Sequence, residues 1–450
     1  MIAIHSRMTD QRASDPTTRE DEAASVTRGL EERLIDSVED HEGVTRRSVL
    51  GGLAIAGGAA VTGLGAAQSE NDPDGGDGEV NGFGAPGEYT HEQFDPHGFL
   101  REFNAGDSPN ERDAIFGRAD DLNAGVYEED GQTVREFNFT AIDVEQEILP
   151  GVRFPMWTYN GQVPGPTIRV EEGDLVRINF TNGSRKMDHT IHPHLRNLNP
   201  RMDGIPQNGP GLIEPGESFT YEWRAQPAGT HLYHCHTLPL KAHVHRGLYG
   251  TIIVDPKPEL VRENPRKYLD YHGPITEEVR EMAVRRAKSR NMISHAGFVP
   301  EGYDGIDEMV MVMNGFDTNF NGDNEVYGVN TRGFAYAPAR TDSYRGEWAA
   351  GKTKKPIQVD RNDLLRVHLL NLIEFDFVNS FHTHSQFFDY YDAGTTLFPN
   401  RKTIDTVLMC QAQRGVLELD YGDHQPGLYM FHAHQSEFAE LGWMSFFEVN

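Results

Sequence analysis

Five His-x-His pairs constrain this chain more than any other feature: His192-Pro193-His194, His234-Cys235-His236, His243-Val244-His245, His382-Thr383-His384 and His432-Ala433-His434. Chance placement of 20 histidines in 450 residues would give about one such pair. In a strand, residues i and i+2 face the same way, so each pair aims two imidazoles at one spot. Four of the pairs form two sets, each with an early and a late member. Similar lead-ins precede the late members, Gly229-Thr230-His231-Leu232-Tyr233 and Gly427-Leu428-Tyr429-Met430-Phe431. Duplication is the simplest account. The chain must then build two β-rich units that can place eight imidazoles around one cavity. Neutral imidazole suits copper, zinc, iron and nickel, so these pairs leave the metal open.

The intervening sequence agrees with an all-β class. Thr167-Ile168-Arg169-Val170, then Glu172-Gly173-Asp174, then Leu175-Val176-Arg177-Ile178-Asn179-Phe180 alternates apolar and polar residues around a turn signal. Pro356-Ile357-Gln358-Val359 and Leu364-Leu365-Arg366-Val367-His368-Leu369 repeat the pattern. The spacing predicts β-sandwich or barrel domains over 133–256 and 305–450. Between them, 257–304 is a connector in which Thr276 caps a helix with an acidic first turn. Residues 92–129 are polar and receive no assignment.

The N-terminal part reads as an address. Arg46-Arg47 precedes a Gly/Ala-rich apolar run that ends in Gly65-Ala66-Ala67, the pattern of a twin-arginine secretory signal over 1–67. An acidic, disordered tether and extension is expected over 68–132. The mature protein should therefore work outside the cytoplasm. A formal net charge of −28 argues against nucleic acid as partner and fits a high-salt habitat. Two cysteines exclude a disulfide scaffold. Cys410 reads as a buried strand residue without a role.

Cys235 narrows the metal. It stands between His234 and His236, so its side chain points to the opposite face of the strand. A thiolate with two further imidazoles is the His2Cys arrangement of blue copper, with a weak axial position. His189, three residues before the first pair, is one candidate imidazole. His243 is the other, because it stands five before Leu248 and leaves Leu248 the axial place. His245 competes with it. A leucine cannot ligate, which predicts a raised reduction potential.

These residues carry a resemblance. The runs WTYNGQVPGPTIRVEEGDLVRINFTN (157–182), HTIHPHLRNLNPRMDG (189–204) and GTHLYHCH (229–236) resemble the first domain of a multicopper oxidase. FHTHSQ (381–386) and GLYMFHAH (427–434) resemble its partner domain. The resemblance implies two cupredoxin-like Greek-key β-sandwich domains joined by a partly helical linker. It implies type 1, type 2 and type 3 copper, about four per chain, and four-electron reduction of dioxygen to water. By that pattern His192 and His382 hold the type 2 copper, and His194, His234, His236, His384, His432 and His434 hold the type 3 pair. Asp203 resembles the family's acidic residue near the cluster and is the proton-relay candidate. The middle domain of three-domain members is missing. In the second unit Asn379, Ala433, Phe438 and Trp443 replace the blue-site ligands, so that unit retains only cluster imidazoles.

Each unit offers four imidazoles, so a cluster forms where a first domain meets a second. Head-to-tail contacts of this kind close into rings, and two-domain relatives form trimers, which predicts a homotrimer with interchain clusters. The donor is a small molecule such as a phenol, or a small redox protein. A copper nitrite reductase is the alternative, since it shares the two-domain plan, His189 and His234-Cys235. It carries aspartate at the position of His192 and a non-histidine at the position of His236. A non-catalytic electron carrier would need only the blue site and would leave the other imidazoles unexplained.

Overall fold

The computed structural model describes residues 125–149, 152–334 and 356–450. The signal region and the extension up to 124 lie outside the described residues. The first unit contains β1 (Gly125–Glu129), β2 (Gln132–Leu149), β3 (Val152–Tyr159), β4 (Gly165–Glu171), β5 (Leu175–Asn182), β6 (His192–Pro193), β7 (Ser218–Arg224), β8 (Gly229–His234) and β9 (Tyr249–Asp255). They form two sheets, β1-β2-β5-β7 with β3 on β2, and β4-β9-β8-β6. The side-chain period explains why the sheets face one another. In β5 the residues Val176, Ile178 and Phe180 point inward while their neighbours are half exposed. The first unit begins earlier than the expected 133: β1 pairs with β2 from Gly125↔Glu136 to Glu129↔Gln132, closed by a turn at Asp130-Gly131. Both turn residues have positive φ, which Asp and Gly accept more readily than most residues. The acidic character of this hairpin hid it from a reading based on apolar alternation.

The second unit repeats the plan. It contains β10 (Ile306–Phe316), β11 (Val326–Val329), β12 (Ile357–Val359), β13 (Leu364–Asn371), β14 (Val378–Thr383), β15 (Phe388–Asp392), β16 (Arg401–Ile404), β17 (Thr406–Cys410), β18 (Arg414–Asp420), β19 (Gly427–His432) and β20 (Met444–Val449). Its sheets run β11-β10-β13-β18-β15-β16 and β12-β20-β19-β14-β17. The pairing senses correspond: β2 with β5 and β10 with β13 are parallel, as are β4 with β9 and β12 with β20. Every residue of β10 is buried. One buried apolar cluster joins Ile142, Val144 and Phe154 of the first unit to Met311, Leu369 and Phe447 of the second. Between the units, the connector forms α1 (Pro258–Glu263), a 3-10 turn and α2 (Glu277–Arg290). The Thr276 hydroxyl caps α2 by accepting the Val279 N–H at 3.2 Å.

Cys410 is exposed, against the expectation of a buried thiol. In β17, Val407 and Met409 turn inward, and strand alternation sends Leu408 and Cys410 to the surface.

A fully buried ionic network also ties the units together. Arg169 of β4 holds Asp255 at 2.8 Å and Glu308 of β10 at 2.7 Å. Glu308 also meets Arg366 at 3.3 Å and the Nε2 of His368 at 3.0 Å. The other ring nitrogen of His368 lies 2.6 Å from the Thr230 hydroxyl on β8. Removing one charge from such a network leaves the opposing ones desolvated and unpaired. Glu308→Gln is expected to lower the unfolding free energy by about 3–5 kcal/mol. Denaturant titration checks this, and an unchanged midpoint would show the network to be dispensable.

Candidate metal centre

The strands place three groups of donors. In the first group, the Nδ1 atoms of His189 and His243 lie 3.2 Å apart. The Cys235 sulfur is 3.3 Å from the His243 Nδ1 and 3.9 Å from the His189 Nδ1. Cys235 follows the last residue of β8 and faces the first unit's core, opposite to His234 and His236. His189 comes from a loop bridged to Ile213. His243 comes from a short helix, Leu240–His245. Leu248, fully buried, shares the apolar cluster of Cys235, and its carbonyl accepts the Cys235 N–H at 2.9 Å. His245 lies elsewhere: its Nε2 accepts the Asp317 N–H at 2.9 Å, and its ring packs against Phe154 and Phe375.

The chemistry of this group fits a soft divalent or monovalent transition metal. Burial holds His189 to a pKa of about 3 and His243 to about 4, so both imidazoles are neutral and offer lone pairs. Burial raises the Cys235 thiol, so a bound cation has to displace its proton. The Nε2 atoms of both histidines are buried without a partner among the described residues. The two Nδ1 atoms and the sulfur lie within 4.8 Å of one another and could hold one cation, which would leave each Nε2 as an N–H.

The other two groups are near copies of one another. In the first unit the His192 ring lies 5.2 Å from His194 and 5.3 Å from both His234 and His236. In the second, the His382 ring lies 5.2 Å from His384 and His432 and 4.9 Å from His434. The pairs do not sit within continuous strands as expected. β6, β8, β14 and β19 end at or beside them, so His194, His236, His384 and His434 lie just beyond the ladder. The convergence survives because register sets His192 opposite His234 and His382 opposite His432.

Main-chain carbonyls fix the ring tautomers. The Nδ1 of His192 is 2.7 Å from the Asp203 carbonyl, and that of His382 is 3.0 Å from the Asp405 carbonyl. The Nδ1 of His234 is 2.8 Å from the Cys235 carbonyl, and that of His432 is 2.6 Å from the Ala433 carbonyl. A carbonyl only accepts, so each Nδ1 carries the proton and each Nε2 keeps a lone pair. The Nε2 atoms of His234 and His432 each approach a neighbouring imidazole, His194 Nε2 at 3.1 Å and His384 Nε2 at 2.9 Å. Burial holds His234 near a pKa of 4 and His194 near 3, which keeps both rings neutral. Carbonyls that hold the Nδ1 protons in this way orient an imidazole for metal ligation through Nε2.

Asp203, the relay candidate of the sequence, has a carboxylate oxygen 3.3 Å from the His192 Nδ1. Gly204 makes this turn possible. Its φ is +71°, and a Cβ there would lie 1.9 Å from the Ile191 carbonyl oxygen. Sequence reasoning missed the counterpart, Asp405, whose carboxylate is 3.9 Å from the His382 Nδ1. It also missed two matched hydroxyls. Thr190 accepts the His236 N–H at 3.0 Å, and Ser380 accepts the His434 N–H at 2.8 Å. Each stands two residues before the first histidine of its set, a repetition visible in the sequence.

In the second unit the backbone of the thiolate site persists without its donors. Ala433 N–H donates to the Trp443 carbonyl at 3.2 Å, as Cys235 does to Leu248. Asn379, Ala433, Phe438 and Trp443 are all buried. Two multicopper oxidase family profiles match the chain, over 142–259 and 324–450. A solved multicopper oxidase structure is 40% identical, with a TM-score of 0.58, over 80% of this chain and 98% of that one. The chain belongs to the multicopper oxidase family, a family of copper oxidoreductases. A multicopper oxidase of Talaromyces pinophilus is 42% identical over 109 residues, 24% of this chain and 17% of that protein. A copper-containing nitrite reductase of Neisseria meningitidis (serogroup A) is 33% identical over 123 residues, 26% of this chain and 30% of that protein. The chain thus matches less than a third of the length of either curated relative.

Proposed function

We propose that this multicopper oxidase takes single electrons from a small reducing donor, phenol-like or a small redox protein, at the Cys235 site and reduces dioxygen to water at an imidazole cluster. Bound copper would supply the one-electron chemistry at the thiolate and the four-electron chemistry at the cluster. His189, Cys235 and His243 would hold the type 1 ion, with Leu248 at the axial position. His192 and His382 would hold the type 2 ion, and His194, His234, His236, His384, His432 and His434 the type 3 pair. The observation that carries the reading is the pair of matched half-sets, in which carbonyls hold the Nδ1 protons of His192, His234, His382 and His432 and leave each Nε2 for ligation. Cys235 is joined by one peptide unit to His234 and by one to His236, which couples the thiolate covalently to the first half-set. A nitrite reductase would use three imidazoles at its second metal, and the half-sets offer eight.

The second half-set opens outward: His384 and His434 are exposed on the single chain. Completion by the first half-set of a neighbouring copy would cover them, and head-to-tail repetition closes a homotrimer. Export through the twin-arginine signal would deliver this assembly to an extracellular, oxygenated setting. Copper analysis with electron paramagnetic resonance tests the reading. About four coppers per chain including a magnetically coupled pair supports it, and about two without coupling supports nitrite reduction.

Two further outcomes are expected. Leu248→Met supplies a thioether at the axial position and should lower the reduction potential of the thiolate site; redox titration checks this, and an unchanged potential rejects the axial placement. Asp203→Asn and Asp405→Asn each remove a proton carrier beside a type 2 imidazole. Reoxidation of the reduced protein by dioxygen should slow by about 10²-fold while visible absorption remains. Normal reoxidation in both variants rejects the relay.

A further inference from the structure

The surface over the thiolate site has a chemical character that the proposed function does not explain. The Trp157 ring packs 4.7 Å from the His243 ring and 5.7 Å from the His189 ring, so it covers both imidazoles. Trp157 itself is half-buried. The Arg246 guanidinium lies 4.6 Å from the Trp157 ring centroid and 5.4 Å from that of Phe320. Phe320 belongs to a loop of the second unit, is 53% exposed, and stacks on Phe154. One helical turn before Arg246, the exposed Lys241 ammonium sits 3.8 Å above the Phe375 ring.

Arg246 stands out among the arginines near the unit boundary. Arg169 and Arg366 spend their guanidinium N–H groups on carboxylates. Arg246 has ring contacts, while no described side chain or carbonyl receives a hydrogen bond from its guanidinium; the nearest acid acting on it, Asp143, acts at longer range. A half-buried guanidinium packed against two rings, with no described hydrogen-bond acceptor, can offer its N–H groups to an oxyanion bidentately. In a chain of net charge −28, a cationic aromatic surface at this point selects by charge.

We infer that Arg246 is the specificity-determining anchor of the electron-donor site, and that the preferred donors are electron-rich aromatics carrying a carboxylate or sulfonate. The acid group pairs with the Arg246 N–H edge and the donor ring lies against Phe320 and Trp157; one electron would pass by the His243 side to the copper that the proposed function assigns there, the donor becoming a radical and releasing its phenolic proton to solvent. Lys241 reinforces the field. This inference rests on the proposed electron uptake at the Cys235 site.

The test uses the copper-loaded protein, 4-hydroxybenzoate as anionic donor, a neutral phenol for comparison, and benzoate as a ligand that is not oxidised. The KM for 4-hydroxybenzoate relative to that for the phenol should rise about tenfold in Arg246→Gln, the loss of one charge-assisted pair. Arg246→Lys should restore part of the difference. Benzoate binding, followed by calorimetry, should weaken by a similar factor in Arg246→Gln. In the unsubstituted protein, benzoate affinity should fall as salt is raised, which needs no variant to fold. A relative KM and a benzoate affinity that stay unchanged would overturn the assignment. Absence of intense thiolate-to-copper absorption in the unsubstituted loaded protein would instead overturn the proposed function beneath it.

Discussion

Copper-loaded Cys235→Ser protein is expected to be colourless in the visible and to lose about 10³-fold or more of its donor turnover. Changing a residue that only supports a ligand already costs about 10–100-fold, and Cys235 is the sole thiolate candidate in its group. A serine hydroxyl does not deprotonate under conditions where a cation displaces a thiol proton. The fold should survive. The side chain sits in the first unit's apolar cluster beside Tyr221 and Leu248, and its polar contacts with the Thr190 N–H at 3.4 Å and the His243 Nδ1 at 3.3 Å are ones a hydroxyl can also make. His234 and His236 point away from Cys235, and His192 and His234 keep their carbonyl partners. Copper content should therefore fall by about one per chain, with the coupled pair retained. Visible absorption that persists in this variant would remove Cys235 from the site and with it the proposed route of electron uptake.

The parts of this architecture that were legible in the sequence are those that depend on local period and on repetition. The strand pattern around Val176, Ile178 and Phe180 follows from alternation, and the Thr276 cap from residue type. The grouping of His189, Cys235 and His243 needed more than period, because three elements supply it: a loop, a strand end and a helix. It was the spacing to Leu248 that favoured His243, while His245 is drawn away by the Asp317 N–H. Asp405 was not legible. Asp203 follows His192 by 11 residues, whereas Asp405 stands between β16 and β17, 23 residues after His382, so the duplication offers no matching offset. Arg246 and Phe320 were invisible for a related reason: their approach depends on packing between the two units, which no local pattern encodes. Cys410 failed through phase, since a one-residue shift along a strand exchanges inside for outside.

Mixing two inactive variants should restore activity if the cluster forms between copies. One variant carries His192→Ala and His194→Ala, the other His432→Ala and His434→Ala, and each alone should be inactive. Within one chain the ring contacts run inside each half-set. What reaches His194 from its own second unit is the charge of Arg414, whose guanidinium lies 3.5 Å from the His231 Nδ1. Under the proposed function, a complete cluster would draw its second half-set from a neighbouring copy. In a head-to-tail ring, every mixed trimer contains one junction where an intact first half-set meets an intact second. Random co-assembly of equal amounts makes about three-quarters of the rings mixed, so about a quarter of the junctions are whole. Those junctions retain Cys235 in the same chain as the intact first half-set, so electron delivery is preserved. Co-expressed variants should then recover about a quarter of the parental oxygen consumption per chain, and dilution to separated chains should abolish it. Zero recovery from co-purified mixed rings would show that junctions between copies are not where dioxygen is reduced, because intact half-sets would be adjacent and still silent.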